Sequence, residues 1–185
     1  TIFTDPDAAL PGANTGGVAV LLQDTSVLYV GGGATEDVAT KFAAIFYPGL
    51  SQTTKGTIAE IASGMQDART SHSATRLQDG TVLIVGGRGT AAGALASAEI
   101  YDPATKTFTK LTATLGTARR NHTATLLRNG DVLFVGGEDA GGTLLASAEL
   151  YDAEAGTFGS AGTLVNGARS GAEAVRLPAG RVLIT

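Results

Sequence analysis

The feature that most constrains this chain is a passage it writes twice. Arg119, Asn121 and His122 lead into an apolar run at 123–127, a turn at Asn129-Gly130, a second run from Val132 to Val135, and the pair Gly136-Gly137. After a glycine-rich loop comes Ala148-Glu149-Leu150-Tyr151-Asp152. Fifty residues earlier the same passage reads Arg69, His72, Asp79-Gly80, Val82 to Val85, Gly86-Gly87, Glu99, Tyr101 and Asp102. A chain that repeats at a fixed period folds as an array, because each unit buries its apolar face only against its neighbours.

Counting along the array sets the units. The first full unit spans 17–61, with strands expected at 18–22, 27–30, 43–47 and 57–61 and a hairpin over Asp24-Thr25. The step to the second unit is 55 residues, and the extra five fall in 48–55. The second unit covers 72–111, the third 122–160, and half of another runs over 172–185. Phe108 precedes His122 by 14 residues, as Phe158 precedes Ala172, Ile58 precedes His72 and Phe3 precedes Gly17. That spacing reads residues 1–4 as the last strand of a preceding unit. Asp79-Gly80 and Asn129-Gly130 predict type I′ hairpin turns, whose two central residues both need positive φ. Asp102 and Asp152 open short turns, where a carboxylate can hold the following amides.

The strands are short and β-branched, and no window shows a helical period, so the chain is all-β. Four-stranded antiparallel units of about 50 residues, set radially, are the blades of a β-propeller. The count is three complete blades with partial blades at both ends.

Composition narrows the partners. The chain is 43% hydrophobic and 16% charged, with 13 basic and 17 acidic residues and a net charge of −4. That balance disfavours a phosphate backbone or an anionic membrane surface. No apolar run approaches the roughly 18 residues of a spanning helix. Cysteine is absent, which removes disulfides, thiol nucleophiles and thiolate metal sites and is compatible with either redox compartment. Residue 1 is threonine, so a signal peptide, if the protein has one, is expected to be already removed or to lie outside this sequence.

Four apolar residues followed by Gly-Gly, a spaced Tyr, and an aromatic seven residues later resemble the kelch repeat. Val82 to Gly87 with Tyr101 and Phe108 carry the likeness, as do Val132 to Gly137 with Tyr151 and Phe158. The wording around Ala118-Arg119, Gly136-Gly137 and Ala148-Glu149 resembles the bacterial branch, related to the central propeller of galactose oxidase. Two departures stand out. Phe108 and Phe158 replace the usual Trp, and the first unit has Phe46 for the Tyr and Ile58 for the aromatic. Kelch propellers close with five to seven blades, so the resemblance implies completion by further blades of the same propeller. Closure by self-association is the alternative.

The charged residues that recur are read as structural. Arg69, Arg119 and Arg169 hold one position and Glu99 and Glu149 another, and the first unit has Asn14 and Ala44 there. Because both charges vanish together, each Arg is expected to pair with the Glu of its own blade. His72 and His122 are the only histidines and occupy one repeat position. They are read as residues at the start of an inner strand, since no carboxylate travels with them to complete a metal site. Gly31-Gly32, Gly86-Gly87 and Gly136-Gly137 are read as close backbone approaches. No helix start or Gly-Lys-Ser follows them to make a phosphate loop. Asn121-His122-Thr123 fits a glycosylation sequon, but its sibling Ser71-His72-Ser73 points to coincidence.

No Ser-His-Asp set is legible, and no catalytic residue, cofactor or metal is assigned. The copper site of galactose oxidase needs a cysteine-linked tyrosine, which this chain cannot make. Strand order places the loops 34–41, 88–96 and 138–146 on one face. Their polar residues differ between blades: Glu36 and Asp37, then Arg88, then Glu138 and Asp139. These are the candidate binding residues. The expected function is a non-catalytic module that binds a protein or glycan, or scaffolds, within a larger bacterial protein outside the cytoplasm. The alternative is part of a propeller enzyme, an oxidase or sugar epimerase, whose catalytic residues lie elsewhere.

Overall fold

The computed structural model describes residues 10, 14–49, 56–91 and 93–185. The strand expected at 1–4 and most of the insertion at 48–55 lie outside them. Every regular element among the described residues is a strand, and every pairing is antiparallel.

The first sheet holds β1 (Thr15–Leu21), β2 (Val27–Gly33), β3 (Ala43–Tyr47) and β4 (Thr57–Glu60) in sequential order. The second holds β5 (Ser73–Arg76), β6 (Val82–Val85), β7 (Ala98–Asp102) and β8 (Thr107–Lys110). The third holds β9 (Thr123–Leu126), β10 (Val132–Val135), β11 (Ser147–Asp152) and β12 (Thr157–Thr163). A two-stranded sheet follows, β13 (Ala174–Arg176) with β14 (Val182–Ile184). Across sheets, β1 neighbours β5, β5 neighbours β9, and β9 neighbours β13. The first strands therefore gather at a hub and the sheets fan out from it.

The fan explains why the second strands are apolar on both faces. In β6, Val82 and Ile84 face the first sheet, in a core with Leu28, Val30, Ile45 and Tyr101. Leu83 and Val85 face the third, against Val132, Phe134 and Tyr151. A sheet covered on both sides has no use for polar alternation. At each blade's outer edge one cross-strand pair recurs: Phe46 opposite Ile58, Tyr101 opposite Phe108, Tyr151 opposite Phe158. The two aromatic pairs stack tilted at 4.8 and 4.9 Å between centroids, each adding about 1 kcal/mol beyond burial.

The hairpin turns differ from the type I′ expectation. Of their central residues only Gly80 (φ 93°) and Gly130 (φ 100°) have positive φ; Asp79 and Asn129 do not. Gly80 N donates to Leu77 O, and Leu77 N donates to Thr81 O across a three-residue loop. Gly130 with Leu127 and Asp131, and Gly180 with Leu177 and Arg181, repeat the pattern. This is the longer hairpin in which a turn is followed by one left-handed residue. The Asp holds it from outside, since Asp79 Oδ1 accepts from Thr81 N at 2.9 Å. In the first blade the left-handed position is Thr25, at φ 70°. A second difference lies in β12, which extends past Ser160 and shifts register opposite Ala148 and Glu149.

Candidate functional site

The hub is tied by backbone. Gly16 sits at the start of β1, Ser71, Asn121 and Gly171 stand two or three residues before β5, β9 and β13, and all four have positive φ. Ser71 N donates to Gly16 O at 2.8 Å, Asn121 N to Ser71 O at 2.9 Å, and Gly171 N to Asn121 O at 2.9 Å. One hydrogen bond per seam thus runs around the axis. The sequon residue Asn121 spends its backbone on this relay.

The diglycines make a second tie in each seam. Gly32 N donates to Arg69 O, Gly87 N to Arg119 O and Gly137 N to Arg169 O, at 2.8 to 2.9 Å. A Cβ on Gly31, Gly86 or Gly136 would lie 2.5 Å from that same carbonyl. Only glycine lets the next blade's backbone come this close.

The side chains of Arg69 and Arg119 turn back into their own blades. Arg69 donates to Glu99 Oε1 through Nε and Nη2, and to Gly86 O and Ser97 O through Nη1. Arg119 reaches Glu149 Oε1 at 2.6 Å, with Gly136 O, Ser147 O and Ser147 Oγ. The two glutamates also accept backbone amides, Gln66 and Asp67 for Glu99, Gly116 and Thr117 for Glu149. Arg69, Glu99 and Arg119 are wholly buried. Repetition also marks Ser97 and Ser147, which had not been singled out; the shared Ala-Ser-Ala-Glu wording was the available signal. Asp67 joins the first network through Ser97 and Lys110. Burial opposes its charge, but those two partners and Arg69 hold its carboxyl below the usual range.

The histidines line a cleft of about 330 Å³ at the hub, with Ser73, Thr75, Thr123 and Glu173. His122 Nε2 lies 2.8 Å from Ser73 Oγ of the preceding blade. His72 has no such partner at either ring nitrogen among the described residues. Residue by residue, the place of Ser73 is taken in the first blade by Val18, which carries no hydroxyl. Burial, then the charge of Arg69 and of His122, pushes the His72 imidazole down to about 3. Burial and Arg119 do the same to His122. Among the described residues no group of three potential metal ligands converges.

On the loop face most of the candidate binding charges are already engaged, one pair of them with each other. Asp37 reaches Arg88 of the next blade at 2.7 Å. Glu138 accepts from Arg120 Nη2 at 2.8 Å and from Ser170 Oγ at 2.7 Å. Ser170 and then Arg120 hold its carboxyl below the usual range, against burial. Asp139 Oδ1 caps its own loop through Gly141 N and Thr143 N. Glu36 contributes its carbonyl, which accepts from Thr70 Oγ1. Arg120 and Ser170 were not legible as partners, because they face Glu138 from other loops. Between these clasped charges two apolar side chains stand out in water, Val38 (51% exposed) and Leu144 (50%).

Residues 69–113, which contain the second sheet and its arginine network, match the kelch motif. The chain superposes on the solved structure of YjhT with a TM-score of 0.74, over 91% of its own length and at 14% identity. The fold is that of a kelch-type β-propeller. The propeller described here spans 56% of the length of the YjhT chain. At this identity the likeness speaks for fold alone. A comparison with curated proteins returns no match. Within the kelch pattern the blades keep their glycines, Tyr101 and Tyr151, with Phe108 and Phe158 at the outer aromatic position.

Proposed function

We propose that this kelch propeller binds a protein or glycan through its loop face, as part of a larger protein outside the cytoplasm. The observation that carries the reading is the state of that face. Its loops are tied down by Asp37–Arg88, by Arg120–Glu138–Ser170 and by the Asp139 cap, while Val38 and Leu144 remain exposed between them. Loops already ordered lose little entropy on binding, and apolar tips held in water favour a partner that covers them. The charges act as clasps that shape the face. The extracytoplasmic placement rests on a surface poor in lysine and rich in glycine, threonine and alanine.

The test is binding to panels of glycans and proteins by three forms: wild type, the loop variant Val38→Ser with Leu144→Ser, and the hairpin-side control Leu21→Ser. The expected result is binding that falls at least tenfold in the loop variant only. Binding untouched by the loop changes, or lost equally in the control, overturns the reading. Turnover of a bound sugar would replace it with the enzyme reading.

A further inference from the structure

Where β4, the outermost strand of the first blade, meets the β7–β8 turn of the second, the seam opens into a slot of about 280 Å³. Ile45, Ala59 and Ile61 line it from the first sheet, with Tyr47 and Lys106 beside them. Ile45 and Ile61 continue inward as part of the core shared with the second blade. Glu60 also borders the slot. Side chains alternate along a strand, however, so its carboxylate takes the face opposite to that of Ala59 and Ile61.

Both polar residues break the repeat. Lys106 holds φ 57° in the β7–β8 turn, its amide donating to Asp102 O at 2.8 Å. The third blade puts Gly156 at that place, with φ 67° and its amide on Asp152 O at 2.9 Å. A left-handed lysine where a sibling turn uses glycine is a backbone cost held for its side chain. Tyr47 stands where the other blades have Asp102 and Asp152, which hold the amides of Ala104 and Glu154. The two departures meet across the seam. Lys106 Nζ donates to Tyr47 OH at 3.2 Å and lies 5.9 Å from the ring centroid. The phenol oxygen accepts that bond and keeps its own proton to give, for which no acceptor stands among the described residues. The ammonium keeps further protons of its own. A positive charge and two kinds of donor therefore sit side by side at the edge of an apolar slot.

We propose that this slot binds a small carboxylic acid whose body is one aromatic ring or a branched aliphatic chain. The carboxylate takes a proton contact from Lys106 Nζ and one from Tyr47 OH, and the apolar body lies against Ile45, Ala59 and Ile61. The volume is at the low end for ligand cavities, which run from about 300 Å³ upward, so it holds a small molecule. The site lies in the seam and is separate from the loop face.

The experiment follows amide shifts of the isotope-labelled full chain during titration with 3-phenylpropanoate. Further arms use 3-phenylpropanamide, a short peptide ending in phenylalanine, and the variants Lys106→Gly and Tyr47→Phe. Saturable shifts over 59–61 and 104–107 are expected with the acid, with the amide binding at least tenfold more weakly. Lys106→Gly adopts the residue of the sibling turn, so its fold is kept while acid binding falls at least tenfold; Tyr47→Phe keeps the ring and weakens binding at least fivefold. The amide arm uses the unaltered chain and reads the charge independently of either variant. No saturation, equal binding by the amide, acid binding unchanged in Lys106→Gly, shifts confined to the hub, or binding by the peptide alone would each overturn the proposal.

Discussion

A guanidinium with no exposed surface is tolerable only where its protons are taken. Arg119 meets most of that condition by giving three contacts to Gly136 and Ser147 and one to Glu149, with only its Nε left without a partner among the described residues. Arg119→Met should cost about 3–5 kcal/mol in urea unfolding, because Glu149 then stays buried without its cation. The double variant with Glu149→Leu should cost clearly less than the two single changes added together, and strict additivity would refute the coupling. This pair was legible because the first blade loses both charges at once, at Asn14 and Ala44. The contact between His122 and Ser73 was not legible. It crosses a seam, and no spacing within one repeat reports which residue of the neighbouring blade faces the imidazole. Asp37, Arg88 and Glu138 were hidden for the same reason, since variable charges in separate loops show no partner until the loops are placed side by side.

At the level of the element, the hairpins show where sequence reading and structure part. Asp-Gly and Asn-Gly located the turns and their glycines, but the loop is one residue longer than the tight form. Its length follows from the Leu77–Thr81 pairing, which depends on strand register and lies beyond the turn dipeptide. Most strand positions were readable to within a residue or two because apolar runs and glycine pairs bracket them, though β1 begins three residues before its expected start and β2 runs three past its expected end. The end of β12 was not, because the register shift between Ala148 and Glu149 lets it run on past Ser160 and leaves no mark in the apolar pattern. The first blade tests the turn. Thr25 holds a left-handed conformation that costs a β-branched residue about 1–2 kcal/mol. Glycine removes that cost but gives back about 0.5–1 kcal/mol through the freer unfolded chain. Thr25→Gly should therefore raise stability by up to about 1 kcal/mol, seen as a higher urea midpoint with an unchanged slope.

Across the whole molecule, the histidines make stability depend on acidity. Both imidazoles are held at about 3, against about 6.5 in an unfolded chain. Between those values the unfolded chain binds more protons, so stability is fully present above about pH 6.5 and falls as pH drops below it. The slope approaches about 1.4 kcal/mol per pH unit for each histidine. Arg69 and Arg119 face the rings and oppose protonation in the same sense. Urea unfolding of His72→Gln with His122→Gln should be nearly flat between about pH 6.5 and 5, a range above the carboxylates. An unchanged slope there would show that the rings do not carry the effect.

The relay through Gly16, Ser71, Asn121 and Gly171 has a consequence for ancestry. Every sector offers an acceptor on one flank and a donor on the other, and the two flanks fit. Duplicating or deleting an entire sector leaves each remaining junction chemically intact, so a gene of this kind can change its copy number in whole steps.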